Sequence, residues 1–155
     1  MSIEIERKFL ITGDNYKKLT GGVIIHQGFL NSNKERVVRV RIMGEKAYLT
    51  IKGITIGATR KEFEYEIPLD EAREMLDELC EKPTIKKHRY TVVRDGFKWE
   101  VDEFHGDNEG LVLGEIELED EGQVFPKPDW VGEEVTGDPK YYNINLVKNP
   151  YKNWK

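Results

Sequence analysis

Charged and apolar side chains alternate along the opening segment of the chain, Ile3–Ile11. Successive side chains of a β-strand point to opposite faces, so residues two apart share a face. Glu4, Glu6 and Lys8 would therefore line one face of a strand, and most of the apolar residues would line the other. The pattern predicts a strand with one charged face.

Seven later segments are also predicted to be strands, and most of them carry a charged pair two residues apart. Short turn sequences separate several of them, and Gly44-Glu45 and Asp95-Gly96 are typical of tight hairpins. The eight predicted strands are Ile3–Ile11, Val23–Leu30, Glu35–Met43, Lys46–Lys52, Thr59–Ile67, Thr84–Arg94, Phe97–Phe104 and Leu111–Glu119.

The segments between the strands predict few helices. Leu69–Cys80 places its apolar residues on one stripe at helical spacing, and Asp70 is its expected N-cap. A short helix fits between Gly13 and Gly22, and another, opened by an Asp-Pro pair, fits within Thr136–Leu146. Asp120–Glu134 is rich in proline, glycine and acidic residues, and we expect it to be a loop.

Eight strands joined mostly by hairpins form an antiparallel meander, and such a sheet removes its exposed edges by closing on itself. We therefore expect an α+β, mainly β, fold: a closed eight-stranded antiparallel β-barrel with a few flanking helices. The 155 residues suit a single domain over residues 1–155. A barrel of this size holds apolar side chains or one small ligand inside. The charged strand faces place the expected ligand site in the interior.

The composition of the chain limits the classes of function that it can have. Charged residues make up 34% of the chain and hydrophobic residues 38%, which favours a partly polar interior. The net charge of −5 argues against a general binder of nucleic acid or of anionic membranes. Cys80 is the one cysteine, and no long apolar run predicts a membrane span. We expect a cytoplasmic protein and leave its oligomeric state open, a homodimer included.

The charged pairs are of both signs. Several carboxylates converging without cysteine or histidine favour a hard cation, Mg²⁺ or Mn²⁺, whereas converging arginines and lysines favour phosphate. A metal and a polyanion held together would balance both sets, which is the chemistry of phosphoryl transfer. The acidic pairs are Glu4/Glu6, Glu62/Glu64, Glu100/Asp102 and Glu115/Glu117, and the basic residues are Lys8, Arg39/Arg41, Lys52 and Lys87/Arg89.

Any one of these pairs, taken alone, is more typical of the solvated face of an antiparallel strand. We assign Glu66 and Glu119 to such surface faces, expect Arg7 on the outside of the barrel and leave Arg60 undecided. The three histidines are expected to be surface or hydrogen-bonded residues. The recurrence of charged pairs across most strands is what favours a shared interior.

The motifs together resemble the CYTH superfamily, the triphosphate tunnel metalloenzymes. The opening segment has the E-x-E-x-K signature of that family, and the later motifs follow in the family's order over almost the whole chain. The C-terminal Thr136–Leu146 segment is similar to the short bacterial branch, whose C-terminal helix lies at a tunnel mouth, so 136–155 is expected there. The motifs after the opening one are Arg39-Val40-Arg41, Thr50–Gly53, Arg60–Glu64, Lys87–Tyr90, Trp99–Asp102 and Gly114–Leu118.

The resemblance implies a tunnel that binds a triphosphate together with Mg²⁺ or Mn²⁺, and it implies roles for individual residues. Metal would be held by Glu4, Glu6, Glu115 and Glu117. Glu62 and Glu64 would bind a second metal or orient water, and with Lys8 they form the expected catalytic set. Phosphate would be bound by Lys8, Arg39, Arg41, Lys52, Lys87 and Arg89. Arg60, Glu100 and Asp102 are ranked second, and Asp102 has an internal ion pair as its alternative role.

The expected reaction is metal-dependent hydrolysis of the terminal phosphoanhydride of inorganic tripolyphosphate by in-line attack of water. The same family contains class IV adenylate cyclases and nucleotide or thiamine triphosphatases, so these reactions stay open as alternatives. A binding module for polyphosphate or nucleotides, without turnover, is the alternative outside enzymes. The expected partner is thus a small-molecule polyphosphate or nucleoside triphosphate.

Overall fold

Eight antiparallel strands close into a barrel. The computed structural model describes residues 3–154. The barrel strands are β1 (Ile3–Ile11), β2 (Gly22–Asn31), β3 (Val37–Met43), β4 (Lys46–Lys52), β5 (Thr59–Ile67), β6 (Ile85–Arg94), β7 (Phe97–Phe104) and β8 (Val112–Glu117). Their order around the barrel is β1, β5, β4, β3, β2, β6, β7, β8 and back to β1. The predicted fold class is confirmed, and the predicted strand limits lie within two residues of the observed ones.

β1 closes the barrel because it pairs along both of its edges. Glu4 lies opposite Arg60 of β5 on one edge, and Lys8 lies opposite Glu115 of β8 on the other. The connectivity therefore differs from the single meander that hairpin signals predict. The strands β2 to β5 form one meander and β6 to β8 a second, and β2 joins them through its pairing with β6.

A ninth strand, β9 (Val131–Glu134), also pairs with β1. The sequence predicted a loop over Asp120–Glu134, and this prediction is wrong for the last four residues. The Arg7 guanidinium donates two hydrogen bonds to the Glu134 carboxylate, at 2.8 and 2.6 Å, and so fastens β9 to the outside of β1. The lowered pKa of Glu134 has the same cause, the hydrogen bonds from Arg7. Arg7 and Glu134 lie far apart in the sequence, so local composition cannot reveal this pair of hydrogen bonds.

Two α-helices flank the barrel, α1 (Leu69–Glu78) and α2 (Asn143–Lys148). α1 begins at Leu69 after Pro68, so the expectation of Asp70 as its N-cap is wrong; Asp70 lies in the first turn and accepts from the Glu71 backbone N–H. Short 3₁₀ helices occur at 15–18, 106–108, 139–141 and 151–153. Within residues 3–154, no helix has the length and apolar character needed to cross a membrane.

The apolar core lies largely outside the barrel wall. Phe9, Trp99 and Ile116 project outward from β1, β7 and β8 and are covered by Tyr16 and Trp130 from the connecting segments. A second cluster forms where α1 packs on the outer face of β2, β3 and β4; it contains Val40, Ala47, Ala72, Leu76 and Cys80. These two clusters leave the inner faces of the same strands to polar side chains.

One stretch of the barrel interior is apolar. Ile85 and Phe104 lie two residues from Lys87 and Asp102 on the same inward strand faces, and they pack with Leu146 of α2. The C-terminal segment therefore packs its apolar side chains directly beside the charged section of the interior. This contact brings residues from the far end of the sequence to the candidate site.

Gly28 sets how closely α1 approaches β2, and its replacement tests that packing. A Cβ at this position would lie 2.9 Å from Cys80 Cβ and 3.1 Å from a methyl group of Leu76. We expect Gly28→Ala to lower the free energy of unfolding by about 1–3 kcal/mol through overpacking, measured by urea denaturation. Gly21→Ala is the matched control, because a Cβ there meets nothing within 4 Å. Equal stabilities for the two variants would contradict the tight seating of α1.

Candidate functional site

The charged strand faces enclose one cavity of about 630 Å³. Seven carboxylates and nine basic side chains line it, so its chemistry suits a cation and an anion together. Glu66 and Glu119, assigned to the surface from the sequence, are exposed and do not line it. The sequence-predicted site residues that the cavity brings together are Glu4, Glu6, Lys8, Arg39, Arg41, Lys52, Arg60, Glu62, Glu64, Lys87, Arg89, Glu100, Glu115 and Glu117.

Four basic side chains of β3 and β6 are buried in the cavity wall: Arg39, Arg41, Lys87 and Arg89. Burial and the neighbouring guanidinium groups lower the pKa of Arg41 to about 9. Burial likewise lowers the pKa of Lys87 to about 7, against the pull of Asp102 in the other direction. Cations held this close together, away from water, are stabilised by a polyanion.

The Arg39 guanidinium is only partly satisfied by the protein. Its Nη2 atom donates to Thr50 Oγ1 at 3.3 Å and lies 3.7 Å from a carboxylate oxygen of Glu64. Its Nε–H is buried and finds no acceptor within residues 3–154. A buried donor without an acceptor is costly, which points to a ligand oxygen at this place.

Asp102 is buried on the inward face of β7 without lining the cavity, and it pairs with two of the cations. It accepts two hydrogen bonds from Arg89, at 2.8 and 2.9 Å, and its Oδ2 atom lies 2.7 Å from Lys87 Nζ. Burial alone would raise its pKa, but the charges of Arg89 and Lys87 hold the pKa well below the usual range. Asp102 therefore has the internal ion pair that the sequence left as its alternative role.

Three carboxylates converge on one point of the cavity. Oxygen atoms of Glu6, Glu100 and Glu115 all lie within 4.8 Å of one another. Burial, followed by the charges of Glu115 and Glu4, raises the pKa of Glu6 well above its usual value. Such a group of hard oxygen donors, held together against its own repulsion, fits a divalent cation. Glu100, ranked second from the sequence, belongs to this carboxylate triad.

The other acidic residues of the predicted metal set face cations of the protein. Glu4 accepts from Lys52 Nζ at 2.9 and 3.2 Å, and Glu62 lies 3.3 Å from the same nitrogen. Glu64 accepts from the Thr50 hydroxyl at 3.0 Å. Glu117 lies 3.4 Å from Lys98 Nζ.

The two remaining predicted cations lie elsewhere along the cavity. Lys8 Nζ donates to the Tyr141 carbonyl at 3.1 Å and lies 3.9 Å from Glu115. Arg60 Nε donates to the Gly53 carbonyl at 3.2 Å. Arg60 was undecided from the sequence, and the structure places it in the cavity lining.

Several lining residues were missed from the sequence. Lys98 precedes Glu100 by two positions on β7, so the same alternation would have found it. Asn143 also lines the cavity, and Gln27 is buried next to it without lining the cavity. Both join the buried cations through hydrogen bonds, and no local signal marks either of them. None of the three histidines lines the cavity; each is hydrogen-bonded through its ring, His26 to Thr84 and His88 to His105.

A family model for the CYTH domain matches residues 2–148. An inorganic triphosphatase of Acetivibrio thermocellus is 59% identical over 155 residues, which cover 100% of this chain and 99% of that protein. An inorganic triphosphatase of Nitrosomonas europaea is 37% identical over 148 residues, 93% of this chain and 96% of that protein. The crystal structure of the inorganic triphosphatase NE1496 superposes with a TM-score of 0.65 at 35% identity, covering 95% of each chain.

Removal of the Asp102 charge tests the internal ion pair. We expect Asp102→Asn to lower the free energy of unfolding by about 3–5 kcal/mol, because Arg89 and Lys87 lose their buried countercharge. The wild-type pair should lose its contribution as pH falls below 3.8, the ordinary pKa of aspartate, since the folded-state pKa is lower still. Urea denaturation at pH 7 and at pH 3 measures both effects.

Asp107→Asn is the matched control, because Asp107 forms an exposed pair with Lys152. We expect that variant to stay within about 0.5 kcal/mol of the wild type. A comparable loss in both variants would mean that Asp102 is not a special countercharge.

Proposed function

The chain belongs to the CYTH domain family, and from this premise we propose that it is a metal-dependent hydrolase that cleaves the terminal phosphoanhydride of inorganic triphosphate. The observation that carries the proposal is the meeting of buried cations and the carboxylate triad in one cavity. Its volume of about 630 Å³ suits a small molecule. We also propose that residues 1–155 act as one catalytic domain, with the C-terminal 136–155 at its mouth.

Substrate binding falls to the basic side of the cavity. Arg39, Arg41, Lys87 and Arg89 present N–H donors to phosphate oxygens from two strands, with Lys8 and Lys52 adding charge from β1 and β4. Guanidinium groups bind phosphate oxygens through two donors at once. Because these cations are fixed in place and shielded from water, they stabilise the charge that develops on the transferred phosphoryl group.

Glu6, Glu100 and Glu115 would hold the cation, with Glu4 and Glu117 as further ligands, and we propose Mg²⁺ or Mn²⁺. When bound, a divalent cation supplies a positive charge that acidifies water and screens phosphate oxygens. Glu62 and Glu64 are our candidates for orienting the attacking water, because their strand faces the cavity opposite Lys52 and Thr50.

Orthophosphate release tests the proposed function directly. We expect rapid release from inorganic tripolyphosphate in Mg²⁺ or Mn²⁺, none in EDTA, and slower release from ATP, followed with a colorimetric phosphate assay. The ATP reaction is also searched for cyclic AMP and pyrophosphate, since their formation would assign the chain to the cyclases instead. No product from either substrate in any metal would reject catalysis and leave binding alone.

The Glu6→Gln substitution distinguishes a role of Glu6 in metal binding from its effect on the stability of the fold. The substitution removes a buried carboxylate whose charge is repelled by its neighbours, so we expect a higher melting temperature in EDTA than for the wild type. It also removes a cation ligand, so we expect turnover to fall by more than about 100-fold.

The stabilisation that Mn²⁺ confers on the wild type should shrink in the same variant. Thermal unfolding with and without Mn²⁺ gives the first and third results, and the phosphate assay gives the second. Glu119→Gln is the control, because Glu119 follows β8 but is exposed outside the cavity. Wild-type Mn²⁺ stabilisation in Glu6→Gln would remove Glu6 from the metal site.

A further inference from the structure

Asn143, the first residue of α2, reaches the buried cations of the barrel. Its Oδ1 atom accepts hydrogen bonds from Gln27 Nε2 and from Lys87 Nζ, both at 2.9 Å. The residue also lines the cavity. One side chain from the C-terminal segment is therefore held between β2 and β6.

The partners of Asn143 fix which way its amide points. Arg41 Nε donates to Gln27 Oε1 at 3.0 Å, and a guanidinium can only donate, so the Gln27 oxygen must face Arg41. The Gln27 nitrogen then faces Asn143 and requires an acceptor there. The Lys87 ammonium makes the same demand. These contacts exclude an exchange of the oxygen and nitrogen positions in either amide.

This orientation turns Nδ2 of Asn143 away from its two donors. In the part of the chain that the structure describes, Nδ2 makes no hydrogen bond. A neutral N–H₂ group beside Lys87, and linked to Arg41 through Gln27, offers donors to an anion without adding to the repulsion among the cations.

We propose that the Asn143 amide nitrogen is a phosphate-binding donor of the cavity, contributed by the C-terminal segment; the proposal rests on the proposed function. The same residue positions Lys87. In its protonated form Lys87 has three donors; one meets Asp102 at 2.7 Å and one meets Asn143 at 2.9 Å, which leaves a single donor for a phosphate oxygen. Asn143 thereby adds a donor of its own and directs the free donor of its neighbour.

Two substitutions separate these roles. Asn143→Asp keeps an acceptor for Gln27 and Lys87 but replaces the amide nitrogen with an oxygen, whereas Asn143→Ala removes both acceptor and donor. We expect both variants to raise KM for inorganic triphosphate by at least about tenfold. Asn143→Ala loses a hydrogen bond to a charged ligand, and Asn143→Asp combines that loss with repulsion between its carboxylate and the polyanion. In the absence of ligand, Asn143→Ala should melt below the wild type and Asn143→Asp should not.

Asn145→Ala is the matched control. Asn145 borders the same cavity, but its amide nitrogen already donates to the Pro139 carbonyl at 2.8 Å. We expect its KM to stay within about twofold of the wild type, because the donor removed is not available to the substrate.

Binding is measured separately, as the rise in melting temperature that inorganic triphosphate produces in EDTA and in Ca²⁺. A wild-type KM in Asn143→Asp together with a raised KM in Asn143→Ala would overturn the donor role and leave positioning alone. Wild-type behaviour of both variants would overturn the whole inference.

If the wild type binds triphosphate without hydrolysing it, the proposed function fails while the binding comparison still decides the role of Asn143. If triphosphate neither stabilises the wild type nor is hydrolysed, both proposals fail.

Discussion

Charges enclosed by the barrel must neutralise one another, because bulk water cannot do so for them. Asp102 shows this most clearly, since it is held between Arg89 and Lys87 at 2.7–2.9 Å. The pairs of Lys52 with Glu4 and Glu62 meet the same demand in the neighbouring part of the cavity. Within residues 3–154, Glu100 and Glu115 of the carboxylate triad lie within 4 Å of cations, whereas Glu6 forms no ion pair and the buried Nε of Arg39 has no acceptor. These are the places where a cation and an anion would complete the balance.

Because the interior around the site is polar, much of the apolar core lies on the outer faces of the wall. Those faces need a cover, which explains why short segments with little regular structure carry large aromatic residues such as Tyr16 and Trp130. The helix α1 provides the cover on the other side. In this fold the connecting segments complete the apolar core on the outer faces of the strands. The barrel itself encloses the cavity.

Alternation of charged and apolar residues predicted most of the eight strands with their inward faces, and the sequence predicted 14 of the 16 charged residues that line the cavity. The signal is strong because a strand has a period of two and each charged pair repeats it. Lys98 obeys the same rule and was predictable. The pairing of β9 with β1 and the contact of Asn143 with Lys87 were not, because each joins residues more than 50 positions apart without a local pattern. The helix start at Leu69 was predicted, but its N-cap is Pro68 rather than Asp70, which reflects local backbone geometry that propensity alone does not resolve.

The double pairing of β1 also bears on how the molecule folds. Its partners lie at residues 59–61, 113–117 and 131–134, so its hydrogen bonds close very long loops of chain. Loop closure of this length raises contact order, and high contact order slows folding. The two meanders can assemble from neighbouring hairpins, but the seam between them is sealed only when β1 inserts. Without β1, the edges of β5 and β8 are open to intermolecular pairing, so the insertion of this one strand removes the edges through which the barrel could aggregate.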